Sequence, residues 1–308
     1  MRRARRNLFI AAQWLFAAAI IWYAARALQG QWDTAATRLA TLDISWSLIG
    51  IATAIVVGTY FLLIDAWRRI VTASGQPFRF ADAARIWFVS NLGKYIPGKV
   101  WSIAAMTVMA RERGVTPLTA AGSSLLIQLV SVAAGIGVVL VAGAQTLREP
   151  LAAAIAGIAI AVGILMIPAM VPLIGKIINA VTGRSVTLPA MSARTIWEAA
   201  ARAAISWIAY GIAFQIFVAA ALGSAAGATT SYIAVYAASY IIGFLALFAP
   251  GGAVVRESAM ITGMLRLGLS SEADALAVAV ASRLWLTATE LLPGLAYLAL
   301  GKRVARIQ

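Results

Sequence analysis

Neither cysteine nor histidine occurs anywhere in the 308 residues. Their absence excludes thiolate nucleophiles, Ser-His-Asp triads, disulfides and histidine-ligated haem or zinc. Charge is scarce too: 12% of the residues are charged, and only 11 are acidic. No glycine-rich phosphate loop, zinc-protease motif or paired-aspartate metal motif is present, so an independent catalytic domain has no support.

What remains is mostly apolar. With 62% hydrophobic residues and a mean hydropathy of +0.88, the chain is too apolar for an ordinary soluble domain. Its apolar runs last roughly 18 to 28 residues and are rich in Ala, Leu and Ile, unlike the alternating strands of about ten residues that build outer-membrane barrels. An all-α, polytopic helical membrane protein is therefore expected. The net charge of +14 would suggest nucleic acid as a partner in a soluble protein. Here the basic residues flank apolar runs, where they orient helices and meet anionic headgroups, so no nucleic acid partner is expected.

Taken in order, Arg2, Arg3, Arg5 and Arg6 precede a first run at 8–28, read as a retained helix with a cytoplasmic amino terminus; a cleaved signal peptide is the alternative. Further full spans are expected at 46–64, 119–142, 151–174, 197–222 and 273–300, making about six. Asp65, Arg68, Arg69, Arg79 and Arg85, then Lys176, Arg184 and Arg194, and finally Lys302, Arg303 and Arg306 mark cytoplasmic segments. This places both termini in the cytoplasm. Most tryptophans, including Trp67 and Trp87, fall near run ends and are expected in interfacial belts or packing.

Two segments break this pattern. Asn91-Leu92-Gly93-Lys94-Tyr95-Ile96-Pro97-Gly98-Lys99 interrupts one apolar stretch, and Phe248-Ala249-Pro250-Gly251-Gly252-Ala253-Val254-Val255-Arg256-Glu257 interrupts another. Proline removes an amide donor and glycine loosens a helix, so such backbone at membrane depth must find protein or water partners. Each segment is a candidate re-entrant turn. Laying Pro97 on Pro250 aligns Tyr95 with Phe248 and Gly98 with Gly251; Arg113-Gly114-Val115-Thr116 then resembles Leu267-Gly268-Leu269-Ser270 with one extra residue allowed. Three full crossings between the two turns would invert the second relative to the first. That is the layout of transporters built from inverted repeats, here with candidate halves at about 46–174 and 197–300 of a single membrane domain spanning 1–308.

Candidate site residues follow from charge at depth. Lys94 and Lys99 bracket the first turn; they either face a polar cavity or snorkel to the cytoplasmic surface. Arg256 and Glu257 follow the second turn, as path residues or as a local ion pair. Arg283 and Glu290 lie seven residues apart on nearly one helix face, where they either pair with each other or meet a headgroup, Arg256 or Lys94. Gln128 and Gln215 are more simply read as amides that join helices. Trp101, beside the first turn, is the one tryptophan singled out as a candidate ligand contact.

The stretch from Asn91 through Pro97, Gly98 and Lys99 to Val100-Trp101, with Pro250-Gly251-Gly252 and Arg256-Glu257, resembles the lysylphosphatidylglycerol synthase transmembrane family. That family includes the flippase-like membrane half of the multiple peptide resistance factor and stand-alone proteins of about this length. The likeness runs from the first span to Leu300. It implies a helical bundle with re-entrant segments that moves lipids or lipid-linked molecules between leaflets. In two-part members a soluble aminoacyltransferase domain makes the modified lipid; no such domain is expected here, and the lipid need not be a lysyl one.

The resulting expectation is a lipid translocase of a bacterial-type inner membrane. Its polar path would involve Asn91, Lys94, Tyr95, Pro97, Gly98, Lys99 and Trp101 from the first segment. Pro250, Gly251, Gly252, Arg256 and Glu257 would contribute from the second, with Arg283 and Glu290 from the last helix. Its partners would be membrane lipids with an anionic or lipid-linked headgroup, a second copy of the chain, or a separate lipid-modifying enzyme. No cofactor or metal is required. Two rivals stand: a membrane transferase using Glu257 or Glu290 as general base, and a scaffold that recruits a lipid-modifying enzyme.

Overall fold

A computed structural model describes residues 43–95, 100–144, 192–246 and 254–304, with isolated positions among 37–41 and 155–166 and at Gly252; at 94, 95, 100 and 300–304 it describes the backbone alone. The expected span at 8–28 and most of that at 151–174 lie outside the described residues. Among the described residues every regular element is helical. They are α1 (Trp46–Ala73), α2 (Phe80–Asn91), a 3-10 turn (Leu92–Tyr95), α3 (Val100–Arg111), α4 (Pro117–Ala142), α5 (Ala193–Leu222), α6 (Thr229–Leu245), α7 (Val255–Arg266) and α8 (Glu272–Val304).

Four of these, α1, α4, α5 and α8 over Glu272–Ala299, are long and apolar enough to cross a membrane. Phe61, Leu129, Ile205 and Leu284 stand outward on them with half or more of their surface exposed. Such outward apolar side chains suit lipid. The chain is thus a multi-pass helical protein of membrane type.

Local chemistry sets the helix ends. Thr116 caps α4, its hydroxyl accepting from the Thr119 amide at 3.3 Å, and Pro117 follows at the first position, where its missing N–H costs nothing. Ser192 caps α5 in the same way, and Gly223 ends that helix at φ +78, in the left-handed region glycine favours. Helix α1 runs past the expected end at 64 because Asp65 neutralises the basic residues that follow. Its carboxylate meets Arg68 at 2.7 Å, Arg69 at 2.6 Å and Arg202 of α5 at 3.4 Å.

Helices α1 and α5 lie antiparallel along most of their length. The Asp65–Arg202 pair joins them at one end, and a hydrogen bond from the Ser45 amide to the Ala220 carbonyl joins them at the other. Trp67 belongs to this core, packing being one of the two roles expected of tryptophans near run ends. It is fully buried and donates its indole N–H to Ser123 of α4 at 3.0 Å. Small residues let the backbones close in: a Cβ at Gly135 of α4 would lie 2.7 Å from the Trp207 indole nitrogen, and one at Gly211 of α5 would collide with the Cα of Ile233 in α6.

The short helices form two hairpins. In the first, α2 and α3 are drawn together near the turn, where a Cβ on Gly93 would sit 3.0 Å from the Ser102 nitrogen; Asp82 and Arg113 close the open end at 2.6 Å. In the second, Gly243 of α6 lies against Arg256, Val235 against Gly263, and Gly227 against Leu269, an antiparallel register along α6 and α7. Helix α8 touches both. Its Gly294 packs on the Phe88 carbonyl of α2, Tyr297 stacks on Phe88 at 6.0 Å, and Arg283 reaches Glu257 of α7.

Candidate functional site

Between the two hairpins the helices enclose a cavity of about 560 Å³. Each contributes one helical face. The first hairpin supplies Trp87, Ser90 and Asn91 from α2, with Ser102 and Met106 from α3. Gln128 and Ser131 come from α4, Ser206, Trp207 and Tyr210 from α5, and Tyr60 from α1. The second hairpin adds Tyr236, Tyr240, Gly243 and Arg256, and α8 adds Arg283, Thr287 and Glu290 on one stripe.

Arg256 dominates the electrostatics. Its residue surface is 5% exposed, yet neither Nε nor Nη2 has a hydrogen-bond partner among the described residues. The guanidinium carbon lies 5.7 Å from the Tyr236 ring centroid and 5.6 Å from that of Tyr240. Cation–π attraction of about 2 kcal/mol in a desolvated setting offsets part of the several kcal/mol that burying an ion costs. The remaining demand is for an anion. Gly243 makes this placement possible, since a Cβ there would lie 2.7 Å from the Arg256 Cβ.

Glu257 does not pair with its neighbour Arg256. One carboxylate oxygen accepts from Arg283 at 3.3 Å and the other from the Val254 amide at 2.7 Å. Val254 has φ +70, a strained conformation for a β-branched residue, and Glu257 bonds the backbone at that point. With both oxygens engaged, Glu257 holds the turn and Arg283 in place and is poorly disposed to act as a general base.

The expected path residues therefore separate. Asn91, Arg256, Arg283 and Glu290 line one cavity, with Glu257 directly behind Arg283. Gly252 is buried at φ +70, and a Cβ there would come within 2.7 Å of the Gly243 carbonyl oxygen. Trp101 stands apart from the cavity, 39% exposed. Lys94 and Tyr95 belong by backbone to the 3-10 turn, while their side chains, like Pro97, Gly98, Lys99, Pro250 and Gly251, lie outside the described residues.

Several cavity residues escape a reading by order alone. Trp87, expected in an interfacial belt or in packing, lines the cavity, and Gln128 lines it with no hydrogen bond to another described residue. The wall of Tyr60, Trp207, Tyr210, Tyr236 and Tyr240 is also new; its available signal is tyrosine in the body of apolar helices, with Tyr236 and Tyr240 one turn apart. Among the described residues no group of three or more acidic side chains is placed to hold a metal.

The sequence profile of the lysylphosphatidylglycerol synthase TM region matches residues 10–294. The chain belongs to this family. No curated protein matches it. Family membership brings both hairpins and the cavity between them into the matched region and gives the chain a lipid-related membrane setting.

Proposed function

We propose that this member of the family is a lipid or lipid-linked headgroup translocase, its polar headgroup passing through the cavity between the two hairpins while the acyl chains stay in lipid. The observation that carries this reading is Arg256, a buried guanidinium whose Nε and Nη2 have no hydrogen-bond partner among the described residues, on the wall of a largely apolar cavity that also carries several polar side chains. A phosphate supplies the missing charge and acceptors. Arg283, Asn91 and Glu290 complete the polar wall, and Lys94 and Lys99 draw anionic headgroups toward the first turn.

The same reading makes both hairpins re-entrant, within about six full spans of one membrane domain whose halves, about 46–174 and 197–300, form an inverted repeat. Its support is the placement of the hairpin bases. The Asp82–Arg113 closure follows the end of α1 that carries the Asp65–Arg202 pair, whereas α6 begins just beyond Leu222, by the end where Ser45 meets Ala220. The hairpins enter from opposite ends of the bundle. Basic flanks set both termini in the cytoplasm of a bacterial-type inner membrane. Because the chain has no cysteine, single cysteines at 97 and 251 can be labelled cleanly. Impermeant reagent reaching both from the same face would overturn the inverted arrangement.

The test of function is leaflet exchange of acyl-labelled fluorescent phospholipids in vesicles containing the purified chain. Arg256→Gln and Glu290→Gln variants that fold normally should lose about tenfold or more, as expected for a charge-assisted contact. Exchange indifferent to Arg256 would sink the proposed path.

A further inference from the structure

Resting on this headgroup path, we infer that the cavity selects a phosphate ester of a neutral polyol, a glycerol- or sugar-bearing phospholipid, and discriminates against headgroups of net positive charge. The phosphate is specified by Nε and Nη2 of Arg256, neither of which has a hydrogen-bond partner among the described residues. The remainder is specified by how the other lining groups are engaged.

The faces of Tyr236 and Tyr240, the usual kind of cradle for an ammonium group, are already taken. Arg256 lies over Tyr236 and Tyr240. Tyr210 stacks on Tyr236 at 5.5 Å, and Trp207 packs edge-on to Tyr240 at 5.4 Å. A second cation entering there would meet the guanidinium. The rings thus offer their polar tips to the cavity: the Tyr60 hydroxyl and the Trp87 N–H are buried without a partner among the described residues.

Neutral amides complete the pattern. Asn91 and Gln128 line the cavity with no hydrogen bond to any described residue, each presenting an acceptor oxygen and two N–H donors. Ser90 donates its proton to the Trp87 carbonyl, leaving its oxygen as an acceptor. The buried Tyr60 and Trp87 groups call for hydrogen-bond partners, and the half-buried amides of Asn91 and Gln128 stand ready to share them. Vicinal hydroxyls, which donate and accept at adjacent atoms, match this mixture. Glu290, the one carboxylate on the described lining, adds an acceptor for such a hydroxyl. A net cationic headgroup would instead face Arg256 and Arg283 with that single carboxylate to favour it.

The test measures binding, separately from transport. Purified full-length chain in detergent is equilibrated with acyl-labelled phosphatidylglycerol, and unlabelled lipids compete. Phosphatidylglycerol or phosphatidylinositol should compete about tenfold or more better than phosphatidylethanolamine, lysyl-phosphatidylglycerol and phosphatidic acid, the size expected for a few added hydrogen bonds. Which of the first two prevails separates glycerol from a sugar-sized cyclic polyol. Arg256→Gln should weaken all phosphate lipids about tenfold. Gln128→Leu, or Asn91→Leu should the first fold poorly, should weaken phosphatidylglycerol and phosphatidylinositol more than phosphatidic acid and so erase the preference between them; an unchanged preference in a folded variant overturns the inference. Equal or better competition by lysyl-phosphatidylglycerol, phosphatidylethanolamine or phosphatidic acid overturns the inference, as does absence of binding by all of them. Arg256-dependent exchange that ignores headgroup identity would overturn it while leaving the translocase reading intact; selective binding without exchange would do the reverse.

Discussion

Replacing Gly243 by alanine places a methyl group where the two limbs of the second hairpin touch. The added Cβ would lie 2.7 Å from the Arg256 Cβ, 3.3 Å from its Cα and 3.4 Å from its nitrogen. Carbon atoms rest at about 3.5–4.0 Å, so α7 must retreat by about 1 Å or Arg256 must turn away. Backbone atoms are among the contacts, which limits relief by rotamer change. Overpacking of this kind costs about 1–3 kcal/mol, set against the roughly 1 kcal/mol by which alanine outdoes glycine inside a helix. The functional loss is larger in proportion. Charge-assisted hydrogen bonds hold only near 2.7–2.9 Å, so a shift of about 1 Å removes one or more, each worth about 1.5–3 kcal/mol. Lipid exchange should therefore fall about tenfold or more, with unfolding in detergent showing a net loss of up to about 2 kcal/mol. Gly137→Ala, where a Cβ meets nothing within 4 Å, is the control and should leave exchange unchanged. Wild-type stability and exchange in Gly243→Ala would refute the close approach and with it the placement of Arg256.

Glu257→Ala removes both the acceptor for the Val254 amide and the partner of Arg283, and should destabilise by about 1–2 kcal/mol in denaturant titration, whereas Glu257→Gln keeps an acceptor and loses less. Val254→Gly should match or exceed wild-type stability by about 1 kcal/mol in the same assay, because glycine adopts φ +70 without a Cβ penalty; a clear loss would argue against the strained turn. Trp67→Phe deletes the bond to Ser123 inside the core and should cost about 1–2 kcal/mol in thermal unfolding. Arg113→Ala opens the first hairpin at an exposed pair and should change stability by no more than about 1 kcal/mol, an effect that fades with added salt.

Much of the bundle was legible because lipid leaves few choices. Runs such as 119–142 and 197–222 had to be helices, and they appear as Pro117–Ala142 and Ala193–Leu222, lengthened by caps and pairs at their ends. The break between Asn91 and Val100 and that between Leu245 and Val255 were signalled by proline and glycine. Arg283 and Glu290 shared a predicted face, and both line the cavity. Legibility failed where an apolar run looks the same from either side. Trp67 and Trp87 both sit near run ends and carry the same expectation of belt or packing, yet one is locked in the core and the other lines the cavity, because their neighbours come from distant helices.

Sequence alone determined that this chain is of multi-pass membrane type, where its helices break and which few charges interrupt its apolar runs, since each follows from the cost of exposing backbone or charge to hydrocarbon. Only the tertiary structure decided how those charges divide. Glu257 stands next to Arg256 in the chain but reaches across 26 residues to Arg283. That leaves Arg256 on two tyrosine rings with its Nε and Nη2 unmatched among the described residues. Pairing is set by which helix faces meet within a few ångströms, and neighbours on a helix point their side chains in different directions.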